Sequence, residues 1–156
     1  MLFLVDGMLG NVAKKLLLFG YDTEYFSDMG YLELMRKAKH ENRIIISKDR
    51  QLIANAKKST IMTIQITKED EIEQFLEILY AVHLELNEIS GDIARCSKCN
   101  SQTIKISKSK ISNKIPSKVF EVNEKFWQCD KCKQIYWEGT HIKKLQDFLN
   151  KIKMRV

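Results

Sequence analysis

Two kinds of hydrophobic pattern alternate along the first 92 residues. Continuous apolar or β-branched runs predict strands, at residues 2–5, 23–26, 44–47 and 61–66. Apolar residues at three- and four-residue spacing predict helices, over 11–19, 32–40 and 51–57 and in the segment that carries Ile72, Phe75, Leu76 and Leu79. Gly20 fits the position just past the first helix, and Thr67-Lys-Glu-Asp70 resembles a capping box at the start of the fourth. Strand–helix alternation predicts an α/β fold, with a parallel sheet between two layers of helices.

Beyond Ser90-Gly91-Asp92 the pattern changes, and four cysteines appear as two C-x-x-C pairs. They are Cys96 and Cys99, then Cys129 and Cys132, with 29 residues between the pairs. Two such knuckles are typical of a closed four-cysteine site for a structural Zn²⁺ ion. Two redox dithiols or disulfides are the alternatives. A segment this short has too small a core to fold by hydrophobic burial alone, so the pattern predicts a zinc ribbon whose metal supplies stability.

A last amphipathic segment predicts a C-terminal helix, with Ile142, Leu145, Leu149 and Ile152 on its apolar side. The predicted organisation is therefore an α/β domain over 1–92, a zinc ribbon over 93–140 and a helix over 141–156.

Charge divides the 156-residue chain unevenly. Residues 1–92 hold 11 Lys and Arg against 15 Asp and Glu, whereas residues 93–156 hold 15 against 5, which gives net charges of −4 and +10. The basic half suits a polyanion, although a lysine-rich solvated surface would look the same. No apolar run is long enough to span a bilayer and no signal peptide is evident, so we expect a cytoplasmic protein with no membrane partner. No phosphate-binding glycine loop is present, which argues against a nucleotide cofactor.

Lysines and aromatic rings occur together in the basic half. Lys105, Lys108, Lys110, Lys114 and Lys118 precede a group made of Phe126, Trp127, Tyr136 and Trp137. Rings beside lysines can stack on bases while the lysines neutralise phosphates. The same rings can equally form the small core of the ribbon.

Two acidic residues lie where strands of the predicted sheet end. Asp6 follows the first strand, and Asp49 comes two residues after the 44–47 strand. Because parallel strands end at one edge of a sheet, adjacent strands would bring both carboxylates into one cleft. Such a pair needs a proton or a cation, and Mg²⁺ or Mn²⁺ prefers oxygen ligands. Asp28, in the loop before the second helix, is either a third ligand or a simple loop carboxylate. An Asx turn at Asp6 and a helix N-cap at Asp49 remain open as alternatives.

Several motifs in order resemble one known family: Leu2-Phe-Leu-Val-Asp-Gly-Met-Leu-Gly10, Leu17-Leu-Phe-Gly-Tyr-Asp22, Arg43-Ile-Ile-Ile-Ser-Lys-Asp-Arg50, the two knuckles, Phe126-Trp-Gln-Cys and Ile135-Tyr-Trp-Glu-Gly139. The family is named for the C-terminal RNase domain of the mutator-seven exonucleases, and it joins a PIN-like domain to a zinc ribbon. The resemblance implies a metal-dependent nuclease of single-stranded RNA. It also implies that Asp6 and Asp49 are its acids, that Asp28 is the aspartate of its loop, and that Arg50 is the basic residue beside the last acid. Where the family has further acids before the second helix, this chain has Gly30 and Tyr31.

The sequence thus predicts a Mg²⁺- or Mn²⁺-dependent endoribonuclease. Asp6 and Asp49 would bind the ion, Asp28 would assist, Arg50 would steady the phosphate, and the ribbon would help to hold RNA. The alternative is a non-catalytic protein on a degenerate PIN-like scaffold that binds RNA, ribosomal RNA or the ribosome.

Overall fold

The computed structural model describes residues 1–156 and divides the chain into two compact units. Unit 1 consists of Met1–Leu16 and Tyr21–Leu86, and unit 2 consists of Leu17–Gly20 and Asn87–Val156. The domain limits expected from the sequence stay a prediction. No helix in either unit combines the length and the apolar character that a membrane crossing requires.

Unit 1 is built around a four-stranded parallel sheet flanked by helices. Its elements, including the start of the helix that runs on into unit 2, are β1 (Leu2–Asp6), α1 (Gly10–Leu18), β2 (Asp22–Phe26), α2 (Tyr31–Glu41), β3 (Ile44–Ser47), α3 (Arg50–Lys58), β4 (Thr63–Gln65) and α4 (Glu71–Val82). The strand order is β2-β1-β3-β4, and every neighbouring pair is parallel. The predicted α/β alternation is confirmed.

The two central strands are buried on both faces, as their unbroken apolar runs require. Phe3, Leu4 and Val5 of β1 have no exposed surface, and all four residues of β3 are buried. On one face, Leu4 and Ile45 pack with apolar side chains of α2 and α3. The carboxyl edge of the sheet, where β1 and β3 end, is therefore supported by a well-packed core.

The helix ends agree with the sequence in one place and differ in another. Gly20 has a left-handed φ of 90°, as expected just past the first helix. The predicted capping box at Thr67 is wrong: α4 is capped by Asp70, whose carboxylate accepts hydrogen bonds from the N–H groups of Ile72 and Glu73. Thr67 instead donates its backbone N–H to Glu77. An aspartate nearer the first apolar turn reaches the free N–H groups directly, so Thr67 is not needed as a cap.

Unit 2 contains a small antiparallel sheet and two helices. Its elements are β5 (Thr103–Ile106), α5 (Ser117–Val122), β6 (Phe126–Cys129), β7 (Ile135–Trp137) and α6 (Thr140–Arg155), and the strand order is β5-β6-β7. Ile111, Phe126 and Ile135 form a small buried core. The predicted C-terminal helix is confirmed, with Leu145, Leu149 and Ile152 buried along α6.

Candidate functional site

Asp6 and Asp49 lie at the same edge of the parallel sheet. Asp6 is the last residue of β1, and Asp49 follows the neighbouring strand β3 by two residues. Ser47, the last residue of β3, joins them. Its hydroxyl donates to Oδ2 of Asp6 at 3.0 Å and accepts the backbone N–H of Asp49, also at 3.0 Å. The two acids therefore share one fully buried serine.

Each carboxylate also makes the local bonds that a turn and a cap require. Asp6 accepts the N–H of Met8 at 3.1 Å, which closes the turn after β1. Oδ1 of Asp49 accepts the N–H groups of Gln51 and Leu52 at 2.9 and 3.1 Å and so caps α3. These bonds use one side of each carboxylate and fix its direction. Oδ2 of Asp49 takes no part in the cap.

Tyr31 occupies that second oxygen of Asp49. The phenol at the start of α2 donates a hydrogen bond to Oδ2 of Asp49. This bond, together with the N–H groups of Leu52 and Gln51, lowers the pKa of Asp49. The same bond raises the pKa of Tyr31, and the negative charges of Asp49 and Asp6 add to the effect. The pKa of the Tyr31 phenol therefore depends on both acids. Tyr31 is also a position where the family resemblance implies an acid and this chain has none.

The other predicted residues of this site are less closely engaged. Asp28 is exposed between β2 and α2, and it does not join Asp6 and Asp49 in a cluster of three potential metal ligands. Arg50 is exposed as the first residue of α3, beside the Asp49 cap. The two carboxylates form an all-oxygen donor set, whereas the buried hydroxyl of Ser47 is already used in its bonds to Asp6 and Asp49. This set suits Mg²⁺ or Mn²⁺, which commonly bind one or two carboxylates and complete their coordination with water and substrate phosphates.

Two residues of this edge, Ser47 and Tyr31, are not among the site residues that the sequence predicts. Ser47 ends a β-branched strand, and its place between Ile46 and Asp49 is a signal in the sequence that could have indicated it. Tyr31 stands where the family resemblance implies an acid, and the sequence assigns it no role. Its bond to Asp49 spans 18 residues, and no local pattern predicts a contact of that kind.

The four cysteines form a second candidate site, in unit 2. All four are free, and their sulfur atoms lie within 4.8 Å of one another. The closest pairs join the two knuckles: Cys96 to Cys132 at 3.6 Å and Cys99 to Cys129 at 3.4 Å. Tetrahedral zinc with Zn–S bonds near 2.3 Å requires sulfurs about 3.8 Å apart, so the cluster has suitable dimensions for zinc. Hydrogen bonds from the side chain and backbone of Ser101 lower the pKa of Cys99 to about 6, whereas burial and the neighbouring thiols raise the pKa of Cys132 to about 11.

Comparison with known proteins gives one family. The chain matches the family model described as Mut7-C RNAse domain over residues 1–149 of its 156. No curated protein and no solved structure matches the chain. Because the matched region contains the acidic edge and the cysteine cluster and leaves out only the last seven residues, the chain belongs to the Mut7-C RNAse domain family.

Proposed function

We propose that this protein is a Mg²⁺- or Mn²⁺-dependent endoribonuclease that cleaves single-stranded RNA on a PIN-like scaffold. The observation that carries the proposal is the junction of Asp6 and Asp49 through Ser47 at the carboxyl edge of a parallel sheet. Membership of a family described by an RNase domain supports RNA as the substrate. The ribosome as a partner and a cytoplasmic location stay predictions.

The roles of the residues follow from their contacts. Asp6 and Asp49 would hold the divalent ion, which supplies charge stabilisation and activation of water for phosphodiester hydrolysis. The α3 cap fixes one oxygen of Asp49, and the turn after β1 fixes one oxygen of Asp6, so neither acid has to be ordered when substrate binds. Arg50 would contact the phosphate, and Asp28 would assist at the rim. Ser47 keeps the two acids in register.

Zinc belongs to the proposal as a structural ion. Cys96, Cys99, Cys129 and Cys132 would bind it with all four thiolates, which leaves no open position for water or substrate. The ion would hold the two knuckles together and with them the basic surface of unit 2.

A second function has a specific observation in its favour. Tyr31 already bonds the oxygen of Asp49 that the cap leaves available, and Asp28 stands apart from the pair. A site with two acids and an occupied oxygen also fits a protein that binds RNA, or the ribosome, without cleaving it.

Neutralising the acids separates these functions. Under the nuclease proposal, Asp6→Asn and Asp49→Asn each remove nearly all Mn²⁺-dependent cleavage of a single-stranded RNA, and the double variant is little worse, because the two residues act as a unit. Asp70→Asn is the matched control, since Asp70 caps α4 with the same pair of N–H bonds, at 3.0 and 3.1 Å. It should cleave at the wild-type rate.

Two results would contradict the nuclease proposal. Cleavage at the wild-type rate in Asp6→Asn would assign the activity to a contaminant or to another site. Wild-type protein that binds RNA but never cleaves it, with Mn²⁺ or Mg²⁺ present, would favour the binding protein.

A further inference from the structure

Unit 2 has an open groove that neither the acidic edge nor the cysteine cluster uses. Its volume is about 400 Å³, within the range of small-ligand sites. Two separate stretches of chain form it, the turn before α5 and the segment from the second knuckle into β7, and its lining includes Lys114, Ile115, Pro116, Lys133, Gln134 and Trp137.

The charge of the groove is purely positive. Lys114 and Lys133 are both exposed, and no acidic residue lines the groove. The ammonium of Lys133 donates to the backbone oxygen of Asp130 at 2.9 Å, which limits the positions that the side chain takes. The net charge of +10 over residues 93–156 extends the attraction beyond the groove. A ligand here should carry at least one phosphate-like negative charge.

An aromatic surface accompanies these charges. Trp137 is half-buried: it packs against the small core of Ile111, Phe126 and Ile135, and it also lines the groove. Packing against the core holds the indole in place. Pro116 adds a second rigid apolar ring to the lining. A fixed aromatic ring in the same groove as two lysines suits a nucleobase, which stacks on the ring at little entropic cost and brings its phosphates with it.

Single-stranded RNA satisfies both features. A duplex keeps its bases stacked inside and offers its backbone, whereas an unpaired strand can turn a base out onto an aromatic ring. We propose that the groove is a binding subsite for single-stranded RNA, with a base on Trp137 and the flanking phosphates at Lys114 and Lys133. This inference rests on the proposed function, because it takes RNA as the substrate, but it needs neither Asp6 nor Asp49.

Binding can be measured without cleavage. The full-length protein in its zinc-bound form is titrated with a labelled oligouridylate, with no Mg²⁺ or Mn²⁺ added and no chelator that would remove zinc. Lys114→Gln and Lys133→Gln remove one groove charge each. Lys131→Gln is the matched control, because Lys131 is an exposed lysine of the same knuckle and does not line the groove. Equal zinc content and circular dichroism show that the variants are folded.

The expected losses follow from counterion release. Each phosphate contact on a single strand contributes about 0.7 to the slope of log affinity against log salt. Each groove variant should therefore lower the slope by about 0.7 and weaken binding about fivefold at 0.1 M salt. Lys131→Gln should change neither. Oligouridylate should also quench tryptophan fluorescence through Trp137, since Trp127 is only 2% exposed. A duplex of the same length should quench much less.

Three results would overturn the subsite: equal weakening by Lys131→Gln, binding without fluorescence quenching, or equal quenching by the duplex. Cleavage is assayed separately with Mn²⁺. Groove binding with no cleavage would contradict the nuclease proposal alone. Cleavage with binding that is insensitive to Lys114 and Lys133 would contradict the subsite alone.

Discussion

Gly91 is the position where a single methyl group should do most damage to unit 2. A Cβ atom built on Gly91 would lie 2.3 Å from two ring carbons of Trp127, far inside van der Waals contact. The ring cannot easily yield. It is 2% exposed on the central strand β6, and its Nε1 donates to Asp92 at 2.8 Å. Overpacking of this kind costs about 1–3 kcal/mol. Strain on the Asp92 bond adds about 0.5–1.5 kcal/mol. Gly91→Ala should therefore lower the free energy of unfolding of unit 2 by about 1.5–4.5 kcal/mol.

Urea unfolding followed by tryptophan fluorescence measures this loss in the right unit. Trp127 and Trp137 are the two tryptophans of the chain, and both belong to unit 2. With a slope of about 2 kcal/mol per molar urea, the midpoint should fall by about 0.8–2.3 M. Gly10→Ala is the control. Nothing lies within 4 Å of its Cβ position and its backbone is already helical, so the fluorescence midpoint should not change. An unchanged midpoint in Gly91→Ala would refute the packing of Trp127 on Gly91.

The remaining predictions concern the two candidate sites. Tyr31→Phe should bind Mn²⁺ about two- to tenfold more tightly in a calorimetric titration, because the α3 cap already orients Asp49 and the phenol only competes for Oδ2; weaker binding would show that the phenol supports the ion instead. Asp49→Ala should lose about 0.5–2 kcal/mol of stability in urea, whereas Asp49→Asn keeps a cap and should lose less; equal losses would contradict the capping role. The folded state lowers the pKa of Asp49, so its ionised carboxylate stabilises the protein at pH values above the unfolded pKa of about 3.9. The difference in unfolding free energy between wild type and Asp49→Asn should therefore shrink as the pH is lowered below that value in an acid titration. Cys129→Ser should reduce zinc, measured by elemental analysis, from one ion per chain and unfold unit 2; wild type without zinc would refute the metal assignment.

The strand runs made the parallel sheet predictable, and with it the common edge of Asp6 and Asp49. An apolar run such as Leu2–Val5 is long enough to define a buried strand, and the chirality of βαβ crossovers then limits the topology. The proximity of Asp6 and Asp49 follows from this topology alone, because both residues lie where strands end. The cysteine pairs carried their own spacing, so their convergence was also predictable.

Contacts between residues that are distant in the sequence were not predictable from the local pattern of residues. Tyr31 reaches Asp49 because the start of α2 and the cap of α3 meet at one edge of the sheet. Threonine and aspartate both satisfy the capping pattern at the start of α4, and only the backbone path selects Asp70 over Thr67. The contacts of Gly91 and Asp92 with Trp127 join residues about 35 positions apart, and the composition of Ser90-Gly91-Asp92 does not predict them.

Residues 17–20 have a consequence for synthesis of the chain. They belong to unit 2, where the backbone oxygen of Leu17 accepts the N–H of Arg95 at 2.9 Å and the side chain of Ile93 lies against Gly20. Seventy-five positions separate Gly20 from Arg95. At about 5–20 residues per second, the nascent segment waits about 4–15 s for those partners to be translated. During that interval the side chains of Leu17 and Phe19, which are buried in the folded protein, stay uncovered because unit 2 is still incomplete. Slow translation of the middle of this message would therefore prolong the exposure of an apolar segment to chaperones or to aggregation.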